Sequence, residues 1–176
     1  LYTSKIFFKV FYGENKLTNF NENEPEHNKI LLVPLGVLAV FSIFIGLLLF
    51  KPIIEDNYFE HPGRFALQMK GGCKDIEVRR NHFNRGCERT IHIGGSHPIS
   101  HYRPLGVPYE ASDIWVYSNL FIGGWSPIAY VGAVNSHVVN NTFIDPENWI
   151  MRILQENTDS SLLPCGENSF INNIVY

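Results

Sequence analysis

Five side chains carry groups able to move a proton or pair with an anion at matching strand positions. They are Gln68, His92, Tyr130 and Arg152, with Lys70 beside the first. Each of the four follows an apolar residue directly: Leu67, Ile91, Ala129 and Met151. Successive side chains of a strand point to opposite faces. If the apolar partners point inward, the four successors form an outward ladder with rungs ~4.8 Å apart, about 15 Å long in all. Amide, imidazole, phenol and guanidinium in a row suit an extended sugar chain. Tyr130 would stack on a pyranose ring, and Arg152 and Lys70 would pair with uronate carboxylates. A cation that neutralises such a carboxylate acidifies the proton next to it, and His92, Tyr130 or Lys70 would remove that proton. The candidate catalytic set is therefore Lys70, His92 and Arg152, with Gln68 and Tyr130 as substrate contacts. A solvent-facing sheet that is merely polar is the competing reading.

Such a ladder needs stacked strands, and a recurring phrase supplies them. A β-branched or apolar residue, two further residues, Asn, any residue and an aromatic or apolar one recur as Ile54–Phe59, Val78–Phe83, Val116–Phe121 and Val138–Phe143. A fifth copy, Phe170–Val175, is weaker. Their asparagines, Asn57, Asn81, Asn119, Asn141 and Asn173, are 24, 38, 22 and 32 residues apart. A period near 22 to 24 with two longer steps is the pattern of a solenoid whose coils carry insertions. Short alternating segments punctuated by Gly-Gly, Asn and Pro argue for strands and turns from Lys51 onward. The expected fold is all-β, a right-handed parallel β-helix over 52–176 of about five coils, with further coils beyond Tyr176. Each recurring Asn is expected to adopt left-handed backbone geometry at a bend and to bond its equivalent one coil on. Phe59, Phe83, Phe121 and Phe143 form the inward stack.

The longer steps hold excursions, and excursions from a solenoid line one face. Ser96–Ala111 places Tyr102, Arg103, Tyr109 and Glu110 beside the ladder. Gln155 and Glu156 are further substrate contacts, and the second excursion, Glu156–Glu167, would supply Glu156 and Asp159 as acid partners, against the reading of solvated loop carboxylates. Asp75 and Asp113, each before an Ile, read as turn residues and not as a catalytic pair. His92, His97 and His101 lack a carboxylate or Cys at a metal spacing, so neither metal nor cofactor is expected. There is no Gly-x-Ser-x-Gly, P-loop or dinucleotide fingerprint. Cys73, Cys87 and Cys165 make an odd count, which points to unpaired thiols, although Cys73 and Cys87 could bridge outside the cytoplasm. A formal charge of −3 without a basic stripe gives no case for nucleic acid.

The first fifty residues are of another kind. Ile30–Phe50 is a run of 21 residues without a charge, about 31 Å as a helix, enough to cross a bilayer core. The expectation is one transmembrane helix at 30–50 in a membrane segment over 1–50, with the lipid bilayer as its partner. Lys5, Lys9, Lys16 and Lys29 precede it, so the coils after it would lie outside the cytoplasm, in the periplasm or at the cell surface. Leu1 and Tyr176 both read as cut ends of a longer chain.

Two resemblances add to this. Ser4–Gly13, Asn23–His27 and Pro34–Ala39 resemble the C-terminal region of the large antiporter-like membrane subunit of respiratory complex I. That family's proton-carrying lysines and glutamates have no counterpart here, so no transport residue carries over. Phe65–Gly72, Ile93–Ser96, Tyr102–Gly106, Tyr109–Ala111 and Arg152–Glu156 resemble bacterial right-handed parallel β-helix proteins of the pectate-lyase-like superfamily. That resemblance covers about 52–176 and implies lyase, hydrolase, esterase or epimerase activity on polysaccharide. The calcium-binding carboxylates of pectate lyases and the paired aspartates of polygalacturonases are missing.

The resulting expectation is a membrane-tethered β-helix that binds or processes an acidic polysaccharide. Its rivals are a NADH-quinone oxidoreductase fragment joined to an unrelated β-helix, and a structural or adhesive β-helix without an active site.

Overall fold

The computed structural model describes residues 36–46 and 51–176. The chain divides into two units, Leu1–Phe50 and Lys51–Tyr176. In the first, residues 36–46 form a helix, α1, whose side chains are all exposed. The expected span at 30–50 extends past it on both sides, outside the described residues, where the rest of the expected membrane segment ahead of it also lies. No helix among the described residues is long and apolar enough to cross a membrane.

The second unit is a stack of parallel sheets, a parallel β-helix-like all-β arrangement. Sheet A runs β1 (Ile53–Glu55), β5 (Glu77–Arg79), β9 (Trp115–Tyr117), β13 (His137–Val139) and β16 (Ser169–Ile171). Sheet B holds β2 (Tyr58–Glu60), β6 (His82–Gly86), β10 (Leu120–Gly123), β14 (Thr142–Ile144) and β17 (Ile174–Val175). Sheet C holds β3 (Phe65–Met69), β7 (Arg89–Gly94), β11 (Ile128–Val131) and β15 (Met151–Leu154). The short sheet D holds β4 (Cys73–Lys74), β8 (Ala111–Ser112) and β12 (Ala133–Val134). Every strand pairs in parallel with the equivalent strand of the next coil.

Like therefore stacks on like. Val78, Val116 and Val138 share one register position, and Phe59, Phe83, Phe121 and Phe143 share another. The phenyl rings lie 4.7, 4.8 and 4.6 Å apart and within 11° of parallel. Phe83, Phe121 and Phe143 are fully buried, with Ile91, Ile93, Ile114 and Ile128 in the same core.

The asparagines line up as rungs at the corner between sheets A and B. Nδ2 of Asn57, Asn81, Asn119 and Asn141 reaches Oδ1 of the next at 3.0, 3.0, 3.0 and 3.1 Å. The left-handed backbone falls one residue earlier than expected. Asp56, Arg80, Ser118, Asn140 and Asn172 have φ between 53° and 56°. The reversal in the preceding residue aims the asparagine side chain along the stack, leaving both its amide groups to bond. Asp75, Asp113, Asn135 and Glu167 repeat the device before sheet A, with φ of 49° to 57°. All three cysteines are free thiols.

Candidate functional site

Sheet C carries the predicted ladder, with one substitution. Gln68 aligns with His92, His92 with Ala129, and Ala129 with Arg152. Ile128, not Ala129, takes the inward place beside Ile91 and Met151. Tyr130 consequently falls on the inward register of Met69 and Ile93, in the core and 1% exposed. Its hydroxyl donates to the Ser169 carbonyl at 2.8 Å, and burial raises its pKa well above the ordinary phenol value. Tyr130 is thus unable to stack on a ligand or to accept a proton from one. A one-residue change of phase moves a side chain from one face of a sheet to the other.

His92 faces outward but is covered, at 3% exposure. Gln68 Nε2 donates to His92 Nδ1 at 3.1 Å, which leaves the ring proton on Nε2. That nitrogen is buried without a hydrogen-bond partner among the described residues, as is Nε of Arg89 on the same strand, which has only the Glu88 carboxylate at 3.8 Å. Desolvation, aided by the Arg89 charge, lowers the His92 pKa to about 4. Neutral His92 therefore presents a buried donor, not an exposed base. Lys70 lies with its stem against Gly95.

The Phe65 ring lies 5.1 Å from the His92 imidazole, and the excursions are pinned by polar contacts of their own. Glu110, 1% exposed, accepts the backbone N–H of Gly71 at 3.0 Å through Oε2 and of His97 at 2.7 Å through Oε1. It pins the excursion from coil two down onto the turn of coil one. Gly94 turns out of β7 with φ of 97°, where a Cβ would collide with the Val131 carbonyl. Tyr102 is fully buried, and its phenol is raised by burial first and the Glu110 carboxylate second. Asn157 of the other excursion donates to the His97 carbonyl at 3.0 Å and to Tyr102 Oη at 3.3 Å. Leu163 N–H reaches the Pro108 carbonyl at 2.8 Å. Gln155 donates to the Asn157 carbonyl and accepts from Cys165 N–H, each at 2.6 Å.

Tyr102, Glu110 and Gln155 are thereby engaged in clasping the excursions together. Arg103 is exposed and bonds the Ser100 and Tyr102 carbonyls at 3.1 and 2.7 Å, while Tyr109 is half-buried. Glu156 approaches Arg89 at 3.5 Å.

What lies open is at the other margin of sheet C, just before its strands begin. Trp125 and Trp149, in consecutive coils, are each 47% exposed, with rings edge-to-face at 6.2 Å. The Trp149 N–H donates to the Trp125 carbonyl at 3.2 Å, which fixes their alignment. Arg152 places its guanidinium carbon 4.9 Å from the Trp149 ring centroid. An aromatic face and a cation stacked on it form an amphipathic surface with one hydrogen-bonding fork. The tryptophans were absent from the sequence-based candidates. Their signal was a bulky aromatic in each of two turn sequences, Gly123-Gly124-Trp125-Ser126-Pro127 and Pro146-Glu147-Asn148-Trp149, where the alternating core pattern does not call for one. Among the described residues no group of three or more His, Cys, Asp or Glu is placed to hold a metal ion. Comparison with protein-family models, curated proteins and solved structures finds no match to this chain.

Proposed function

We propose that residues 51–176 bind an acidic saccharide across the outer margin of sheet C, with Trp125 and Trp149 as the stacking platform and Arg152 as the carboxylate contact. One observation carries the reading: two half-exposed tryptophans in consecutive coils, one of them under an arginine. Exposed indole rings cost solvation free energy that a flat C–H face of a sugar would recover. The stacked guanidinium is held in a limited set of orientations, so pairing it with a uronate costs less side-chain entropy. The reading is of a binding surface. With His92 buried and Tyr130 facing the core, Arg152 is the cation that lies against the platform.

Two finer assignments belong to the same proposal. The stack is a right-handed parallel β-helix of the pectate-lyase-like kind, supported by coil steps of 22 to 24 residues and one asparagine per coil at a single corner. The apolar run at 30–50 tethers it to a bilayer on the extracytoplasmic side, supported by hydropathy and the lysines ahead of that run.

Titration calorimetry with oligogalacturonates and with neutral glucans tests the function. Preferential binding of the acidic oligomers is expected, weakened at least tenfold, about 1.4 kcal/mol, by Trp149→Ala and by Arg152→Ala. No binding by either class, or affinities unmoved by both substitutions, overturns it.

A further inference from the structure

The corner between sheets A and B has an outer side as well as an inner one. Each ladder asparagine points into the stack, so the residues before and after it point outward. Two rows result, one of Arg80, Ser118 and Asn140, the other of His82, Leu120 and Thr142. The first row is held in line by N–H bonds from Arg80 to the Ser118 carbonyl and from Ser118 to the Asn140 carbonyl, both at 3.1 Å. The pairing of β6, β10 and β14 aligns the second. Between the rows, with buried Asn81 and Asn119 as its floor, runs a groove of about 550 Å³. Sites for small ligands occupy ~300–1,000 Å³. Three rungs ~4.8 Å apart make it about 10 Å long. Coils one and five flank it, with Asp56 and Asn172 continuing one row and Tyr58 and Ile174 the other. The groove therefore belongs to coils two to four and owes nothing to either end of the stack.

Its lining has a definite chemistry. Ser118 is small where Arg80 is long, so one wall dips at coil three. The Ser118 and Thr142 hydroxyls and the Asn140 amide can each donate and accept. Among the described residues those three side chains make no hydrogen bond, whereas the Asn119 and Asn141 amides are spent on the ladder. Arg80 is already tied down. Its Nε and Nη2 donate to Asp56 at 2.9 and 2.8 Å, and Nη2 also to Glu55 at 2.9 Å. Leu120 places an apolar patch between His82 and Thr142, and the His82 ring stands edge-to-face on Tyr58 at 4.9 Å. The backbone of the floor is engaged as well: the Asn81 and Asn119 carbonyls accept from Leu120 and Thr142 N–H, both at 2.9 Å.

We propose that this groove is a second binding site, which takes a neutral oligosaccharide laid along the stack axis. Sugar hydroxyls both donate and accept, and so match Ser118, Asn140 and Thr142 on successive coils. The C–H face of the same sugar covers Leu120. An acidic chain would meet an arginine already balanced by two carboxylates, in contrast to Arg152 on its tryptophan. A peptide strand, which binds through main-chain bonds, would find the floor carbonyls already taken. The site stands apart from the sheet C platform, and either can fail without the other.

The test is titration calorimetry of the full chain, in a zwitterionic detergent without a sugar headgroup, against cellohexaose, maltohexaose and an unstructured Gly-Ser peptide. One of the two glucans is expected to bind and the peptide is not. Ser118→Arg fills the dip in the wall and suits the backbone, since Arg80 holds the same geometry, φ of 53° against 55°. It should weaken the glucan at least about tenfold and leave oligogalacturonate binding unchanged. Thr142→Val keeps the shape without the hydroxyl and should weaken the glucan about threefold or more. Circular dichroism checks each fold, and Ser118→Lys replaces Ser118→Arg if that variant fails it. The proposal is overturned if neither glucan binds, if the peptide binds as well, or if blocking Ser118 leaves the affinity unmoved. Glucan binding that Trp149→Ala abolishes also overturns it, by assigning the sugar to sheet C.

Discussion

Asn119 holds its coil to the next through one acceptor: its backbone N–H and its Nδ2 both reach Oδ1 of Asn141, each at 3.0 Å. Its Nδ2 also lies 2.9 Å from the Val78 carbonyl and 3.0 Å from that of Tyr117. Its own Oδ1 receives the backbone N–H of Asn81 at 2.9 Å. With Asn119 3% exposed, water cannot replace what a deletion removes.

Asn119→Ala should therefore cost about 3 to 5 kcal/mol, because it orphans several buried backbone groups as well as losing its own bonds. Asn57→Ala, at the exposed first rung, should cost less than about 1 kcal/mol. Urea denaturation of the two variants side by side measures the difference. Equal losses would show that the rungs do not work as a buried ladder.

Phe121 stacks between Phe83 at 4.8 Å and Phe143 at 4.6 Å. Phe121→Ala removes a ring with neighbours on both sides and should cost about 3 to 5 kcal/mol, with Phe121→Leu losing only about 1 to 2 kcal/mol. Thermal unfolding of both variants distinguishes a tightly packed column from a yielding one.

Glu110 is the clasp of the first excursion. Glu110→Ala leaves the Gly71 and His97 N–H groups without their carboxylate, so their amide exchange should accelerate and limited proteolysis should cut within 96–110. Glu110→Gln keeps one acceptor oxygen and should protect partially. Exchange in sheets A and B should be unchanged, because the excursion hangs from the corner between sheets C and D.

The pH dependence of stability follows from His92. Its folded pKa is depressed to about 4 by burial, against about 6.5 for an unfolded histidine. Between those values the unfolded chain binds the proton and the folded one does not. Stability is therefore complete above about pH 6.5 and falls as pH drops toward 4, by up to about 3 kcal/mol. His92→Gln should flatten that part of the profile. The check is urea midpoints measured from pH 7 to 4.

Two corrections show where reading along the chain gives out. A ladder requires the same side chain at one place in every coil, so the asparagine period and the phenylalanine column could be read directly from the residues, insertions included. The bend geometry sat one residue off, because the left-handed position accepts Asp56, Arg80, Ser118 or Asn140 alike and leaves no repeated residue type to find. Tyr130 was misplaced for a related reason. In Ile128-Ala129-Tyr130-Val131 every residue is apolar or aromatic, so alternation does not reveal its phase. The pairing of Ile128 with Ile91 and Met151 sets it.

By itself the sequence determined the coil period, the parallel stacking and the residues of the inner column, because these depend on local alternation repeated at a fixed interval. Only the tertiary structure decided which outward groups meet solvent. Gln68 and Phe65 of the preceding coil pack on His92, the excursions clasp one another over Tyr102, and the turns before β11 and β15 leave Trp125 and Trp149 open. Exposure on the outer face of a coil depends on what long-range segments cover it, and residue spacing within the coil carries no record of that.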